Sequence, residues 1–300
     1  MQAAPFANIA RATMTLRDRL LLDDMLLAPG VFDPLSALLA QHHGCEAVFV
    51  SGAAVALTQL GLPDVGLASA SELIDLVARI TDRVSIPVMV DGDSGYGNAA
   101  NLQRLVRGLS RAGAAAIQIE DQVAIKPAAR LRTRPLVSAA EMVGKVKAAQ
   151  DARLSDDVLI SARTDAMLSS GIDDAIARGE AYIEAGCDLF FVESVTRRED
   201  VARIVAHFGG SVPLVHNLLE SGGSPLRDAH EAAAAGFSLA LFPTTALQGA
   251  VHAMGRAYAQ LAASGSSASL ADASVSLADI NAIVGTDDFT ARVARYGEQA

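Results

Sequence analysis

The chain has 300 residues, a formal net charge of −10 and a composition that is 51% hydrophobic and 4% aromatic. This length fits one large domain or two ordinary ones, with enough apolar residues for a sizeable core. The acidic balance, without a block of basic residues, argues against nucleic acid or an anionic membrane as a partner. No apolar run approaches the roughly 18 residues of a membrane helix. Two cysteines and an N-terminal stretch without a signal-peptide pattern predict a cytoplasmic protein.

Short apolar runs alternate with helical segments along most of the chain. After a loose arm at residues 1–15 and a predicted helix at 16–26, eight predicted strands lie at 25–28, 47–50, 88–90, 116–119, 158–162, 188–192, 213–215 and 238–242. The predicted helices between them lie at 34–42, 71–81, 100–112, 139–152, 173–185, 198–207 and 225–235. Glycines close several of these helices, as is typical of a repeated βα unit.

This rhythm predicts an α/β protein with a (β/α)8 TIM-type barrel. Each strand is apolar enough to be covered on both faces, and eight regularly spaced units favour closure over a doubly wound sheet, which is the alternative. A ninth helix at 245–262 precedes a Ser/Ala-rich stretch at 265–276, which we interpret as a flexible connector. Short amphipathic helices at 277–284 and 289–296 follow. We therefore assign residues 1–262 to the barrel and 263–300 to a connector and C-terminal helices that pack on, or exchange with, a neighbouring subunit.

Carboxylates gather where the third and fourth predicted strands end. Asp91 and Asp93 are spaced i, i+2, which places both on one face of a strand, and Glu120 ends the next strand. Acids so close at low dielectric repel one another, and a divalent cation relieves that repulsion. Oxygen-only ligands favour Mg²⁺, with Mn²⁺ as a second possibility. The simpler alternative is that Asp91 or Asp93 only caps the following helix.

Other polar residues end the remaining strands, where the active site of such a barrel lies. They are Ser51, Gly52 and Ala53 after strand two, Arg163 after strand five, Glu193 after strand six, His216 and Asn217 after strand seven, and Pro243 to Thr245 after strand eight. An arginine facing several acids predicts an anionic, carboxylate-bearing small molecule as substrate, since arginine offers a carboxylate two parallel donors. The stretch from Gly95 to Ala100 matches a dinucleotide fingerprint, but the acids before it would repel a pyrophosphate.

These strand ends resemble the isocitrate lyase/phosphoenolpyruvate mutase superfamily, and most closely its short methylisocitrate lyase and carboxyphosphonoenolpyruvate phosphonomutase group. The motifs are VSG at 50–52, LPDVG at 62–66, VDGDSGYGN at 90–98, IEDQ at 119–122, ARTDA at 162–166, FVE at 191–193 and NLLESG at 217–222. The resemblance implies an Mg²⁺-dependent barrel enzyme, commonly a homotetramer whose last helices exchange between subunits.

The resemblance also implies roles for single residues. Asp91 would ligate Mg²⁺ directly, and Asp64, Asp93 and Glu120 would hold it through water. Ser51, Gly52 and Ala53 would receive the substrate carboxylate, Arg163 would bind substrate beside the metal, and Glu193 and Asn217 would line the far side of the pocket.

One departure from the family bears on the reaction. Family lyases carry Lys-Arg-Cys-Gly-His on a mobile loop, whereas this chain has Lys126-Pro127-Ala128-Ala129-Arg130, so Ala128 replaces the catalytic cysteine. The phosphonate branch's Lys-x-Asn-Ser pattern is also missing. Lys126 remains a candidate catalytic residue in a loop that Arg130, Arg132 and Arg134 keep basic.

We therefore expect a carbon–carbon lyase that acts through a metal-stabilised enolate of a small 2-oxo or 2-hydroxy di- or tricarboxylate. Losing a general acid costs about 10²–10⁴-fold, and decarboxylating an oxaloacetate-like acid does not need one. Family decarboxylases that lack the cysteine fit this pattern. The alternatives are methylisocitrate or dimethylmalate cleavage, phosphonomutase or phosphonopyruvate hydrolase chemistry, and a catalytically silent 2-oxo acid binder.

Overall fold

Eight parallel strands, paired in chain order, close into a barrel in the computed structural model, which describes residues 14–123, 134–219 and 223–297. The first strand pairs with the eighth through Leu26 and Leu239, so the sheet has no open edge. The predicted (β/α)8 barrel is confirmed, and the doubly wound alternative is wrong. The strands are β1 Leu26–Val31, β2 Val48–Val50, β3 Val88–Asp91, β4 Ala116–Glu120, β5 Leu159–Thr164, β6 Leu189–Val192, β7 Leu214–Asn217 and β8 Leu239–Phe242.

Helices surround the barrel and extend beyond it. They are α1 Leu16–Leu20, α2 Pro34–His42, α3 Gly52–Val55, α4 Ala70–Thr81, α5 Ala99–Arg111, α6 Ala139–Ala152, α7 Ala166–Ser169, α8 Ile172–Glu184, α9 Arg198–Phe208, α10 Ala229–Ala235, α11 Thr245–Ser264, α12 Leu277–Ile283 and α13 Thr286–Ala294. A π-helical turn at Ala56–Leu60 continues α3. None of the helices in the described ranges is long and apolar enough to cross a membrane.

Local signals explain the positions of these helices. Reciprocal capping boxes start α2 at Asp33, α4 at Ser69 and α5 at Asn98, where each side chain satisfies a backbone N–H that the helix leaves open. Gly236 ends α10 with a φ of 108°, a conformation that a residue with a Cβ rarely adopts.

Two sequence predictions about helix ends need correction. The first helix ends at Leu20 and not at 26, because a turn is needed before β1 starts at Leu26. The helix predicted at 225–235 begins only at Ala229, where Asp228 caps its first turn.

The barrel interior has layers that follow from strand alternation. Its apolar side chains form one cluster, whose buried members are Leu16, Leu26, Ala28, Ala47, Phe49, Met89, Ala116, Leu159, Leu189, Phe191, Val215, Leu239 and Leu241. The opposite faces of the strands pack against the helices in a second, larger cluster. Above the inner cluster, at the carboxyl ends of the strands, the inward residues turn polar.

The segment after β8 differs from the expected flexible connector. A 3-10 helix covers Ala268–Ala273 within the Ser/Ala-rich stretch. Arg83, just beyond α4, donates a hydrogen bond of 2.7 Å to the backbone carbonyl of Val284. The short C-terminal helices are therefore tied to the barrel's helical layer in this chain.

Candidate active site

A cavity of about 250 Å³ opens at the carboxyl ends of the strands. Eight of the predicted site residues line it: Ser51, Ala53, Asp64, Asp91, Glu120, Arg163, Glu193 and Asn217. Gly52 and Asp93 lie in a smaller adjoining pocket, which Asp64 also borders. The structure thus brings the predicted residues that it describes to one end of the barrel, as the barrel rule requires.

An acidic wall on one side of this cavity consists of Asp64, Asp91, Asp93 and Glu120, with Asp91 and the turn at Asp93 at its centre. The backbone N–H of Asp93 donates to Asp91 Oδ1 over 3.1 Å, and the N–H of Gly52 approaches Asp91 Oδ2 at 3.4 Å. A Cβ at position 52 would lie 3.2 Å from that same oxygen, so glycine lets the start of α3 approach the carboxylate closely. Asp93 has a φ of 48°, a left-handed conformation that marks a tight, specialised turn.

Tyr96 lies against the acidic wall, next to Asp93. Its hydroxyl donates to Asp93 Oδ2 over 3.4 Å. Burial, with the charges of Asp93, Asp91 and Asp64, raises the pKa of Tyr96 far above its ordinary value, so the hydroxyl stays protonated. The buried Lys145 on α6 donates 3.1 Å to the carbonyl oxygen of Ser94 and fixes the turn from behind.

The donor set of this wall fits Mg²⁺ bound largely through water. Asp64, Asp91, Asp93 and Glu120 supply only hard carboxylate oxygens, which magnesium prefers. Within the described ranges, however, no three His, Cys, Asp or Glu side chains converge closely enough to hold one ion directly. Magnesium commonly keeps several waters and takes one or two protein carboxylates, so one direct ligand and more distant acids suit it.

Arg163 forms a basic wall next to the acidic one, on β5, where it is the register partner of Glu120 on β4. Its Nε and Nη2 each donate 2.9 Å to the two oxygens of Asp165, a bidentate pair. The guanidinium also lies 3.4 Å from Glu120 Oε2 and 3.4 Å from Glu193 Oε2. Although burial favours the neutral form, the acids Asp165, Glu193 and Glu120 raise the pKa of Arg163 well above its ordinary value. The group is a permanent, fixed cation.

Asp165 anchors the basic wall from outside the cavity. It pairs with Arg134 as well as with Arg163. Burial alone would raise the pKa of Asp165, yet the two guanidinium groups hold it below its ordinary value. Asp121, next to Glu120 on β4, faces the other way and accepts a hydrogen bond of 2.9 Å from the Asp165 backbone N–H.

The amide of Asn217 and the carboxylate of Glu193 are hydrogen-bonded to each other at the far side of the cavity. Asn217 Nδ2 donates 2.9 Å to Glu193 Oε2, and Arg134 lies 3.8 Å from Glu193 Oε1. The buried Oδ1 of Asn217 has no hydrogen-bond partner in the described structure. It is therefore an acceptor available to a ligand hydroxyl.

Only some of the remaining residues predicted for the site lie at the cavity. Pro243 and Thr244 line the cavity, while Thr245 begins α11. His216 faces the helical layer, where Nε2 lies 2.8 Å from Ser224 Oγ, so its grouping with the site is wrong. Gly95 and Gly97 shape the turn before α5. Lys126, Ala128, Arg130 and Arg132, together with residues 220–222 of the last motif, lie outside the described residues.

Sequence reasoning missed several cavity residues. Gln118 lines the cavity but was not singled out. Gln122 and Phe191 also line it, although they were named only as members of two motifs, and Arg134 was placed only in the basic loop. A usable signal existed for Gln118, which stands two residues before Glu120 and so shares its inward face. No comparable local signal pairs Arg134 with Asp165, because the two lie 31 residues apart.

A barrel whose mouth joins an acidic wall to a fixed arginine has the features of an enzyme site suited to a hard cation and a small carboxylate. The sequence pattern of the phosphoenolpyruvate phosphomutase family matches residues 16–262. The chain is 37% identical to 2,3-dimethylmalate lyase of Eubacterium barkeri, over 91% of this chain and 93% of that protein.

Two solved structures have the same architecture. Oxaloacetate acetylhydrolase, bound to 3,3-difluorooxalacetate, has a TM-score of 0.90 and 30% identity over 97% of this chain and 98% of that one. Phosphonopyruvate hydrolase with oxalate and Mg²⁺ has a TM-score of 0.86 and 30% identity over 96% and 99%. The chain belongs to the isocitrate lyase/phosphoenolpyruvate mutase superfamily, whose members are Mg²⁺-dependent carbon–carbon lyases or mutases.

Proposed function

We propose that this enzyme is an Mg²⁺-dependent carbon–carbon lyase for a small 2-oxo or 2-hydroxy di- or tricarboxylate, and that decarboxylation of an oxaloacetate-like acid is its main reaction. The observation that carries the proposal is that an acidic wall with Asp91 and a basic wall with Arg163 line the same cavity. One wall suits a hard cation, and the other suits a carboxylate.

The chain's own residues bind and orient the substrate. Arg163 presents a fixed guanidinium to one carboxylate. Ser51 precedes α3, and Gly52 and Ala53 are its first two residues, whose backbone N–H groups have no partners within a helix. These groups receive the other end of the substrate, with the Gly52 N–H turning from Asp91 to the ligand. When bound, Mg²⁺ acts as a Lewis acid that withdraws negative charge from the enolate oxygens.

Decarboxylation is favoured over cleavage because of the residue at position 128. Carbon dioxide leaves as a neutral molecule that needs neither a base nor an acid, and the enolate left behind takes up its proton in a later step. Cleavage of a 2-hydroxy acid instead needs a base for the hydroxyl and a positioned acid for the departing carbanion. Ala128 cannot donate a proton, and arginines in the same loop hardly ever give one up. Lys126 is the remaining candidate for protonating the enolate after carbon dioxide leaves.

The test is an assay of pyruvate release from oxaloacetate, methylisocitrate and dimethylmalate, with phosphorus NMR on phosphonopyruvate. We expect oxaloacetate to be the best substrate and chelation to abolish the activity. Methylisocitrate turnover matching that of a cysteine-bearing relative would overturn the loop argument. Oxalate binding without any turnover would instead identify a silent binder.

Restoring the missing acid sharpens that test. Ala128→Cys is expected to raise cleavage of 2-hydroxy acids by about 10²-fold or more, the usual gain from a positioned general acid. Ala128→Ser is the matched control, because it adds a similar volume with a far weaker acid. An equal response of the two variants would show that the acid at 128 does not limit the reaction.

Cleavage of a 2-hydroxy acid is the second candidate, and one observation favours it. Asn217 Oδ1 is buried without a partner beside Glu193, which suits a substrate hydroxyl that must be held and deprotonated. Asn217→Asp, which offers no N–H to Glu193, is expected to reduce turnover of dimethylmalate more than that of oxaloacetate. An equal loss on both acids would count against a hydroxyl site here.

We also propose a homotetramer in which residues 263–300 exchange between subunits, so that the Arg83–Val284 hydrogen bond seen within one chain forms between two chains in the assembly. Val251, Met254, Tyr258 and Leu261 form an exposed apolar stripe along α11 at helical spacing. Tyr258→Glu is expected to dissociate the assembly in light scattering, whereas Ala263→Glu on the opposite face leaves it intact. A wild-type mass of 31.0 kDa would refute the tetramer.

A reducing, cytoplasmic location completes the proposal. Cys45 and Cys187 are both free thiols, and burial raises the pKa of each. Such thiols persist where glutathione keeps them reduced. Fractionation of the source cells would test this location.

A further inference from the structure

Two polar side chains lie in an otherwise apolar layer of the barrel interior. The exposed fraction is 1% for Gln118 on β4 and 0% for Ser161 on β5. Both face inward, because each stands two residues after an inward apolar residue, Ala116 or Leu159. The other inward positions at this level are apolar, as with Phe49, Met89 and Phe191.

Neither side chain has a hydrogen-bond partner in the described structure. Both atoms of the Gln118 carboxamide and the Ser161 hydroxyl are buried and unpaired. Buried polar groups in folded proteins are almost always hydrogen-bonded, because leaving them unpaired costs their full desolvation penalty. An apolar pair of similar size would make a more stable barrel at this level.

Their position explains why polar groups stand there. Gln118 lines the active-site cavity and is the register partner of Asp91 on one side and of Ser161 on the other. Arg163 stands two residues above Ser161 on the same face. The pair therefore forms a floor between the acidic and basic walls, beneath any ligand that spans them.

We propose that Gln118 and Ser161 form a neutral subsite for an oxygen of the bound carboxylate ligand. On ligand binding, the Gln118 amide N–H donates to that oxygen. The Ser161 hydroxyl, which is not bonded to the carboxamide in the ligand-free structure, then turns to donate to the carboxamide oxygen and holds it in place. The subsite selects ligands that present a carboxylate or keto oxygen to the floor over those that present an alkyl group. It rests on the proposed function only in requiring carboxylate ligands in this cavity.

Stability and affinity separate a ligand subsite from a structural hydrogen bond. Gln118→Leu removes two unpaired buried atoms, so we expect a higher Tm for the ligand-free protein. The same variant is expected to bind oxalate about tenfold more weakly or worse in the presence of Mg²⁺, as calorimetry would measure, because a hydrogen bond to a charged ligand is lost. Its Mg²⁺ affinity is expected to match that of the wild type. Met89→Leu, an apolar exchange in the same layer, is the control and is expected to leave oxalate affinity unchanged.

A double-mutant cycle tests the positioning role of Ser161. Ser161→Ala is expected to weaken oxalate binding about threefold in the wild type and to have no effect in Gln118→Leu, because it acts only through the carboxamide. Additive losses would overturn that role.

Several results would overturn the subsite. These are unchanged oxalate affinity in Gln118→Leu, a loss confined to Mg²⁺ affinity, or a lower Tm that marks Gln118 as structural. Failure of the wild type to turn over any acid would count against the lyase activity alone, since the binding comparison needs no turnover. A wild type that binds no oxalate would overturn both.

Discussion

The acidic and basic walls of the cavity are built on different principles. On the basic wall, Arg163 is held by two hydrogen bonds of 2.9 Å to Asp165, which itself pairs with Arg134. The acidic wall instead depends on backbone geometry. A left-handed Asp93, a close glycine at position 52 and a lysine bond to the Ser94 carbonyl shape the turn there.

This difference indicates how each wall meets its ligand. A guanidinium already surrounded by three acids is charged and fixed before substrate arrives, so little reorganisation is needed on binding. Carboxylates arranged by the backbone retain a net negative charge that a cation must neutralise. The substitutions that follow should therefore fail in different ways on the two walls.

The largest expected effect is on the acidic wall. Asp91→Asn removes a negative charge but keeps the shape, and we expect kcat/KM to fall by about 10³-fold or more with loss of Mg²⁺ binding. Calorimetric titration with Mg²⁺ would measure the binding. Asp82→Asn, an exposed acid at the end of α4, is the control and should change neither quantity. Full activity in Asp91→Asn would remove Asp91 from the metal site.

A smaller loss is expected on the basic wall. Arg163→Lys keeps the charge but loses the two parallel hydrogen bonds to Asp165 that hold the cation in place, so substrate binding should weaken by about 10- to 100-fold. Mg²⁺ affinity should stay close to that of the wild type, because Asp91 is unchanged and the lysine keeps a positive charge near Glu120. Steady-state kinetics with a parallel Mg²⁺ titration would separate the two effects. Equal losses in both quantities would show that the walls are not independent.

The sequence predicted the acidic wall better than the basic one for a physical reason. Asp91, Asp93 and Glu120 sit at strand ends, where alternation and the barrel rule place them without tertiary detail. The partners of Arg163 depend on how distant segments meet, and no local pattern encodes that. Gln118 resembled a core residue because it stands inside an apolar strand.

Strand alternation alone excludes His216 from the predicted site. Neighbouring residues in a strand point to opposite faces, so His216 and Asn217 could not both face the cavity. The same rule separates Glu120, which lines the cavity, from Asp121, which bonds to Thr164 and Tyr182 behind it. Whether a residue at a strand end faces the cavity therefore depends on its odd or even position along the strand more than on its residue type.

The outward-facing His216 allows a test on stability that leaves both walls untouched. Burial lowers the pKa of His216 to about 4 from its ordinary value of 6.5, so the folded protein keeps it neutral. The unfolded chain takes up a proton as pH falls below about 6.5, so stability is fully present above that pH and is lost toward pH 4.

This loss should amount to about 3 kcal/mol or less in the free energy of unfolding, and His216→Gln should lack it. Urea denaturation of both proteins across that pH range would measure the difference. Parallel pH profiles would show that His216 does not titrate on unfolding.

The smallest expected effect comes from Tyr96, which lies against the acidic wall as a neutral donor. Its hydroxyl makes a single bond of 3.4 Å to Asp93, and burial keeps it protonated, so it shapes the wall without adding charge. Tyr96→Phe should lower the free energy of unfolding by about 1 kcal/mol or less and weaken Mg²⁺ binding by no more than about fivefold. Thermal denaturation and Mg²⁺ titration would measure both. A loss of kcat near 10²-fold would instead assign the hydroxyl to proton transfer, because a positioned general acid contributes on that order, and the acidic wall would then supply the donor that position 128 lacks.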